Sequence, residues 1–299
     1  MAGGAVRIIT MANIKGGVGK TTATVNIAWL LATEFNKRVL VIDADDQGNA
    51  TKALGVRHQH EETESLWYAL RNRQNYAAVM VESAWDGIHV IPSTKELKGA
   101  QMAFGQSARG MKLFQRLLKD VENDFDYVLI DTKPQINILL QSALAASHWY
   151  IVPSFPEPDS YDGFVDLITE CEEIYEEVNE NLNCLGVLFT SVKASPAHEV
   201  YMKFILKYLR RARVPVFKSW IRSSNAVATG TLHNCPAVSM SSSRNTTEDY
   251  MKVTRQLMRA SSRNVDEEAR PDLETLGIFF YEDGDGGTVT EVRDLDLDL

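Results

Sequence analysis

The sequence KGGVGKTT at residues 15–22 constrains the fold most, because it lies between an apolar run and a helical pattern. Its three glycines, at positions 16, 17 and 19, allow backbone angles closed to other residues and a close approach to a ligand. Such a turn directs its N–H groups and the next helix N-terminus at one point, which suits a phosphate. The sequence therefore predicts a nucleotide-binding loop made of Lys15, Gly16, Gly17, Val18, Gly19, Lys20, Thr21 and Thr22.

Apolar, β-rich runs alternate with helical patterns along most of the chain. The predicted strands are 6–12, 38–44, 87–93, 126–132, 149–154, 185–192 and 214–221, and the predicted helices include 20–33, 111–121, 162–178, 198–212 and 246–260. Several of these strands are almost continuously hydrophobic, as strands buried on both faces are. We therefore predict a doubly wound α/β fold, in which helices cover both faces of a mostly parallel sheet.

The chain changes character near residue 262. Residues 264–299 contain twelve acids and two arginines, a net of −10 against −9 for the whole protein, so residues 1–263 carry about +1. We predict a nucleotide-binding domain at 1–262 and an acidic appendage at 263–299. The appendage is either a disordered or loosely docked tail, or a segment that binds a partner or inhibits the domain.

Two bulk features exclude other protein classes. No apolar run reaches the roughly 18 residues that a membrane span requires, and the N-terminus lacks the pattern of a signal peptide. The three cysteines are scattered and fit neither a metal site nor a disulfide framework. The sequence thus favours a cytoplasmic protein.

Acidic residues end two of the predicted strands. Asp43 and Asp45 close the second strand at i, i+2 spacing, which places both carboxylates on one face of an extended chain. Asp131 closes the run DYVLIDT. Ligands of doubly wound sheets bind at the carboxyl ends of the strands, so these acids are candidates to hold Mg²⁺, together with the Thr21 hydroxyl, or to orient a water.

The motifs KGGVGKTT, VLVIDADDQGNAT and FDYVLIDTKP resemble the deviant Walker A, Walker A′ and Walker B motifs of ParA-type partition ATPases, within the ParA/MinD class. The likeness extends in order from about residue 6 to residue 260. The resemblance implies slow hydrolysis of ATP with Mg²⁺ by a nucleotide-sandwich dimer. It also implies the following roles: Lys15 as the signature lysine that reaches the partner's phosphates, Lys20 and Thr21 as phosphate and Mg²⁺ ligands, Asp45 as the residue that positions the attacking water, and Asp43 and Asp131 as supporting acids around the metal.

Two positions depart from the family pattern. Asp46 stands where the family usually has proline in D-x-D-P-Q-G-N, and Lys133 follows the Walker B strand where small residues or prolines are usual. Both changes add charge near the expected γ-phosphate, and they bear on the hydrolysis rate more than on nucleotide binding.

A basic stretch follows in the C-terminal half. The stretch at residues 199–222 carries Lys203, Lys207, Arg210, Arg211, Arg213, Lys218 and Arg222. A second group of cations, at or near the last predicted helix, is Arg244, Lys252 and Arg255. One interpretation is a solvated helix face. The other, implied by the resemblance, is non-specific binding of DNA by the ATP-bound dimer, with an affinity that falls steeply with salt.

The sequence-based hypothesis is therefore a DNA-binding, nucleoid-associated partition or positioning ATPase, which dimerises with ATP and is stimulated by a ParB-like or cargo adaptor protein. The acidic C-terminus VRDLDLDL argues against a basic membrane-binding helix. One alternative is a regulatory P-loop module with weak or no ATPase activity. Another is a metabolic P-loop enzyme, such as a nitrogenase-reductase-like protein or a synthetase relative.

Overall fold

The computed structural model describes residues 5–56, 63–105, 107, 109–157, 160–262 and 278–279, with the backbone alone at 160–163, 211 and 278–279. The remaining residues of the acidic appendage, and therefore both hypotheses on its role, lie outside this description.

One sheet organises the described part of the chain. Its strands are β1 (Arg7–Met11), β2 (Val39–Ala44), β3 (Val81–Glu82), β4 (Ile88–Ile91), β5 (Tyr127–Thr132), β6 (Trp149–Ser154), β7 (Asn183–Phe189), β8 (Val216–Phe217) and β9 (Ile278–Phe279). Their order is β3-β4-β2-β5-β1-β6-β7-β8-β9. The seven central strands of this order, β4, β2, β5, β1, β6, β7 and β8, are parallel to one another. The two edge strands, β3 and β9, each pair antiparallel with their neighbour.

The α-helices are α1 (Lys20–Thr33), α2 (Asn49–Ala53), α3 (Leu66–Asn72), α4 (Ala100–Phe104), α5 (Leu113–Leu117), α6 (Ile138–Ala146), α7 (Ser160–Glu177), α8 (Pro196–Arg211), α9 (Asn225–His233) and α10 (Arg244–Ala260). Short 3₁₀ turns lie at Tyr76–Ala78, Lys95–Gly99, Gly110–Lys112, Val121–Asn123 and Ala237–Ser239. No helix in these ranges is long and apolar enough to cross a membrane.

The helices form two layers, one on each face of the sheet. Successive side chains of a strand point to opposite faces, so both faces carry apolar side chains that helices must cover. In β1, Ile9 and Met11 pack with α1 and α10 in one cluster. Ile8 packs on the other face, in a cluster with α3, α5 and α6. A third cluster, around α7 and α8, continues this second layer through α6. The prediction of a doubly wound α/β fold is confirmed.

Local predictions differ from the structure in several places, and the two-residue edge strands β3 and β9 are not among the predicted strands. The run at 214–221 forms only the two-residue strand β8, after which the chain continues as a bridge between Val192 and Arg222. The predicted helix at 111–121 is shortened to α5 (Leu113–Leu117) between two 3₁₀ turns, and Asp120 beyond it has a positive φ of 65°. Helix α9, which the sequence reading missed, begins at the N-cap Ser224, whose hydroxyl accepts the N–H of Ala226.

The strand order places the site. Strands β2, β5 and β1 are neighbours, with Asp43 in register with Asp131 and Met11 likewise in register with Asp131. The turns that follow these three strands therefore meet at one edge of the sheet.

Candidate nucleotide-binding site

The glycine-rich turn joins β1 to α1. Asn13, at its start, is buried and donates to the carbonyl of Pro153 at 2.7 Å, while its side-chain oxygen accepts the N–H of Lys15 at 2.8 Å. Gly17 and Gly19 have φ values of 77° and 87°, a region that other residues rarely adopt. The predicted loop residues therefore lie together, with backbone N–H groups at the start of α1.

Lys20 is buried beneath this turn. Its Nζ donates to the carbonyl of Lys15 at 3.0 Å. Burial lowers the pKa of Lys20 to about 8, against the opposing charges of Asp131 and Asp45. A phosphate in the turn would supply the counter-charge that this amine lacks, so the environment of Lys20 suits an anionic ligand.

Thr21 and Asp131 are in direct contact. The Thr21 hydroxyl donates to Asp131 Oδ2 at 2.6 Å, and the Thr24 hydroxyl reaches the other oxygen, Oδ1, at 3.4 Å. Asp131 is fully buried. Two hydroxyls from one helix thus orient this carboxylate at the mouth of the phosphate turn.

Asp43 fastens the end of β2 to the start of α2. Its Oδ2 accepts both the N–H and the hydroxyl of Thr51, each at 2.7 Å, and its Oδ1 accepts the N–H of Asp45 at 3.2 Å. These protein groups already use both carboxylate oxygens. The geometry therefore favours a supporting role for Asp43 over direct contact with a metal.

Asp43 and Asp131 are adjacent buried acids. Burial raises the pKa of Asp131, and the neighbouring charge of Asp43 raises it further. Burial also raises the pKa of Asp43, although the hydrogen bonds from Thr51 and Asp45 oppose this. Two carboxylates that share a site without a cation cannot both ionise at low cost. A divalent cation held at Asp131 would offset this repulsion, with Asp43 as a supporting charge behind it.

The oxygen donors beside the phosphate turn are few, as is usual for Mg²⁺ bound with a nucleotide. Within the described residues, no three His, Cys, Asp or Glu side chains cluster as a metal cage. Mg²⁺ in nucleotide sites needs only one or two protein ligands, because phosphate oxygens and waters complete its octahedron. Thr21 Oγ1 and Asp131 fit this pattern.

The loop after β2 carries the other two acids. Asp45 is largely buried, and its carboxylate accepts the N–H of Gln47 at 3.1 Å. Asp46 Oδ2 lies 3.0 Å from Lys133 Nζ. Burial favours the neutral form of Asp46, but hydrogen bonds from Gln47 and Lys133 outweigh this and hold its pKa below the ordinary value. The two departures from the family pattern therefore neutralise each other.

Lys15 lies at the rim of the loop. Its Nζ is 3.1 Å from Glu157 Oε2, in the segment after β6, and both side chains are partly exposed. Lys15 is thus held by the periphery of the site, whereas Lys20 is directed under the turn.

Four site residues escaped the sequence reading: Thr24, Thr51, Glu157 and Thr190. The Thr190 hydroxyl donates to the carbonyl of Val18 at 2.8 Å, and it lies 3.4 Å from where a Cβ on Gly19 would project. Thr24 lies two residues after the first motif and Thr51 is the last residue of the second, so both could have been found by counting along α1 and α2. Glu157 and Thr190 could not, because tertiary packing alone brings them to the loop.

The predicted DNA-binding cations divide between two layers. Lys203, Lys207 and Arg210 lie on α8, whose apolar side packs in the third cluster. Arg244, Lys252 and Arg255 lie on α10, which packs with α1 on the opposite face of the sheet. The two groups therefore do not share a helix layer. The side chain of Arg211 is outside the described part of the chain.

Individual cations also differ in exposure. Lys207, Arg213, Lys252 and Arg255 are exposed, and Lys218 is half-buried. The Lys203 side chain is only 9% exposed and pairs with Glu199 at 3.4 Å. Phe204, next to Lys203 on α8, is 52% exposed.

Arg222 serves an internal contact. It makes a bidentate pair with Asp249, at 2.8 Å from Nε and 2.7 Å from Nη2, and so joins the β-bridge after β8 to α10. Arg244 pairs with Glu248 one turn along its own helix, at 3.2 Å. Arg222 therefore has a structural explanation that does not require DNA.

Comparison with known proteins agrees with this geometry. The model of the AAA domain family matches residues 6–184. The chromosome-partitioning ATPase Soj of Thermus thermophilus is 33% identical over 71% of this chain and 86% of its own length. The chromosome partitioning protein ParA of Caulobacter vibrioides is 30% identical over 73% of this chain and 86% of its own length.

A solved structure extends the similarity to the fold. Cobyrinic acid a,c-diamide synthase from Mycobacterium smegmatis, with bound ATP analogue and magnesium, superposes with a TM-score of 0.74 at 27% identity, over 85% of this chain and 94% of that one. Motif order, sheet topology and relatives agree, and the chain belongs to the ParA-type partition ATPases of the AAA domain family.

Proposed function

We propose that this partition ATPase, whose cofactors are ATP and Mg²⁺, works as a dimerisation switch. ATP binds in the loop of residues 15–22, two chains close over the nucleotides, and the closed dimer binds DNA non-specifically. A ParB-like or cargo adaptor stimulates hydrolysis, and DNA is released. The proposal places the protein on the nucleoid.

The observation that carries the proposal is the separation of the two loop lysines. Lys20 is buried and faces the expected phosphates, whereas Lys15 extends to the rim and pairs with Glu157. A surface ion pair of this kind is weak, about 0–1 kcal/mol. Lys15 can therefore exchange Glu157 for phosphates of a partner subunit at little cost.

Hydrolysis would be slow in a single chain. Asp45 is proposed to orient the attacking water, and Thr21 with Asp131 to hold Mg²⁺, which supplies charge neutralisation at the phosphates. Transition-state charge on the γ-phosphate also needs cations aimed at it. We infer that the cation reaching it is Lys15 of the second subunit, so that turnover follows dimerisation.

The test measures ATPase activity and DNA retention, with and without ATP, over a salt series. We expect ATP to strengthen DNA binding, Lys15→Ala to lose dimerisation and ATP-dependent DNA retention, and Asp45→Ala to retain DNA but not hydrolyse. Lys119→Ala, at an exposed lysine before β5, is the matched control. The proposal fails if ATP leaves DNA affinity unchanged.

A second candidate is ATP-dependent synthesis, which the similarity to the diamide synthase favours. The curated partition relatives are more alike in sequence, at 30–33% identity. ATP turnover that requires a carboxylic acid and a nitrogen donor for amide formation, and does not respond to DNA, would support the synthetase alternative.

A further inference from the structure

The Asp46/Lys133 ion pair is the feature of the site that the family resemblance does not explain. Asp46 Oδ2 and Lys133 Nζ are 3.0 Å apart, and their side chains are 2% and 36% exposed. A buried carboxylate is costly unless it is paired and hydrogen-bonded. Gln47 Nε2 completes its environment by donating to Oδ1 at 2.9 Å.

The ion pair joins the two loops that carry the reaction. Asp46 directly follows Asp45, the residue proposed to orient water. Lys133 comes two residues after Asp131, which accepts the Thr21 hydroxyl. Pro134, next to Lys133, lies 3.9 Å from where a Cβ on Gly16 would project, so this loop also borders the phosphate turn.

Little else connects these loops. Strands β2 and β5 pair as far as Ala44 and Thr132. Beyond that point, the Asp46/Lys133 contact is the only hydrogen bond or ion pair between residues 45–48 and 132–137, all of which are described. A cavity of about 160 Å³ lies beside it, lined by both residues and by Lys98, Gln101, Gln135 and Asn137. Side-chain packing therefore does not fill the space between the two loops, and the ion pair is the contact that crosses it.

We propose that Lys133 is a positioning residue for ATP hydrolysis, which holds the Asp45 loop against the Asp131 loop through Asp46. Without this contact, Asp45 and the metal-binding pair would no longer face the same phosphate. The inference rests on the proposed role of Asp45. It differs from direct phosphate binding by Lys133, because Lys133 acts through another side chain.

The test compares kcat and KM for ATP in Lys133→Met, Lys133→Arg, Asp46→Asn and the double variant. We expect Lys133→Met to lower kcat at least about tenfold with KM within about threefold, since small misplacements affect the chemical step most. Lys133→Arg should restore most of the activity. The double variant should match Asp46→Asn rather than multiply the two losses, because no unpaired carboxylate remains.

Lys95→Met is the matched control, because Lys95 is an exposed lysine of the neighbouring 3₁₀ turn and is not among the residues that line this cavity; its kcat should stay within about twofold of wild type. Thermal unfolding of each variant separates misfolding from mispositioning. The proposal is overturned if Lys133→Met hydrolyses normally, if the two losses multiply, or if affinity for a non-hydrolysable ATP analogue falls as far as kcat. If Asp45→Ala hydrolyses normally, the water-orienting role fails instead, whatever Lys133 does.

Discussion

Replacing Asp131 with asparagine should stabilise the nucleotide-free protein while it abolishes magnesium-dependent hydrolysis. Asp131 is fully buried beside Asp43, and the charge of Lys20 offsets the effects of burial and of Asp43 only in part. Asparagine has the same shape, can accept the Thr21 hydroxyl and can donate to Thr24. The substitution therefore replaces a carboxyl group that must take up a proton on folding with a neutral group, and it keeps both contacts.

The magnitude follows from the pKa of Asp131, which burial and Asp43 raise to about 8. A folded-state pKa above the unfolded value means that the native state holds the extra proton, so stability falls as pH rises toward 8. The slope is about 1.4 kcal/mol per pH unit, or about 3 kcal/mol between pH 5 and pH 7. Asp131→Asn should lose this slope and gain on wild type by that amount.

The assay is urea unfolding at pH 5, 6 and 7 in the presence of a metal chelator, with circular dichroism as the probe of the folded fraction. The control is Asp126→Asn. Burial favours the neutral form of Asp126, but hydrogen bonds and charge from Arg38 hold its pKa below the ordinary value. The stabilisation from Asp126 is fully present between pH 5 and pH 7 and is lost only when the pH falls below the ordinary aspartate pKa. Asp126→Asn should therefore be less stable than wild type by a constant amount across the assay, without a change of slope.

Two outcomes would refute the reasoning. One is a parallel pH dependence of wild type and Asp131→Asn between pH 5 and pH 7. The other is a variant less stable than wild type at pH 7 without metal. With ATP and Mg²⁺ at a hundredfold excess over Kd, wild type should gain about 2.7 kcal/mol and the variant should not.

Three further predictions concern the loop and the cations. Gly19→Ala should cost about 1 kcal/mol or more of stability and weaken ATP binding, because φ is 87° there; calorimetric titration measures the binding. Arg222→Ala should lower stability by roughly 1–3 kcal/mol, since it removes the charged partner of the buried Asp249 carboxylate while the N–H of residue 222 still donates to it; DNA retention at equal folded fraction should not change. Lys207→Glu should weaken DNA binding and flatten its salt dependence by about one unit of log–log slope, while Lys119→Glu should do neither.

The sequence predicted the fold class and the phosphate turn well, because both depend on local patterns. The apolar runs of β2 and β5 are buried throughout, as their composition indicated. Helix α1 begins and ends at the predicted residues, since glycine at position 19 and the apolar spacing fix it locally. The boundaries of β8 and the helix at 111–121 were wrong, because short elements depend on neighbours that the sequence does not reveal.

The cation set shows the limit of pattern reading. Spacing placed Lys203 and Arg222 with the other basic residues, but the fold gives each an acidic partner and buries most of Lys203. It also separates α8 from α10 by the thickness of the sheet.

The sequence by itself determined that residues 15–22 form a phosphate turn and that acids end the neighbouring strands, because backbone freedom and strand periodicity are properties of the local chain. Only the tertiary structure decided that Asp46 and Lys133, 87 positions apart, cancel each other's charge, and that Glu157 holds Lys15. Such pairings depend on which strands are neighbours in the sheet, and hence on the packing of the whole chain.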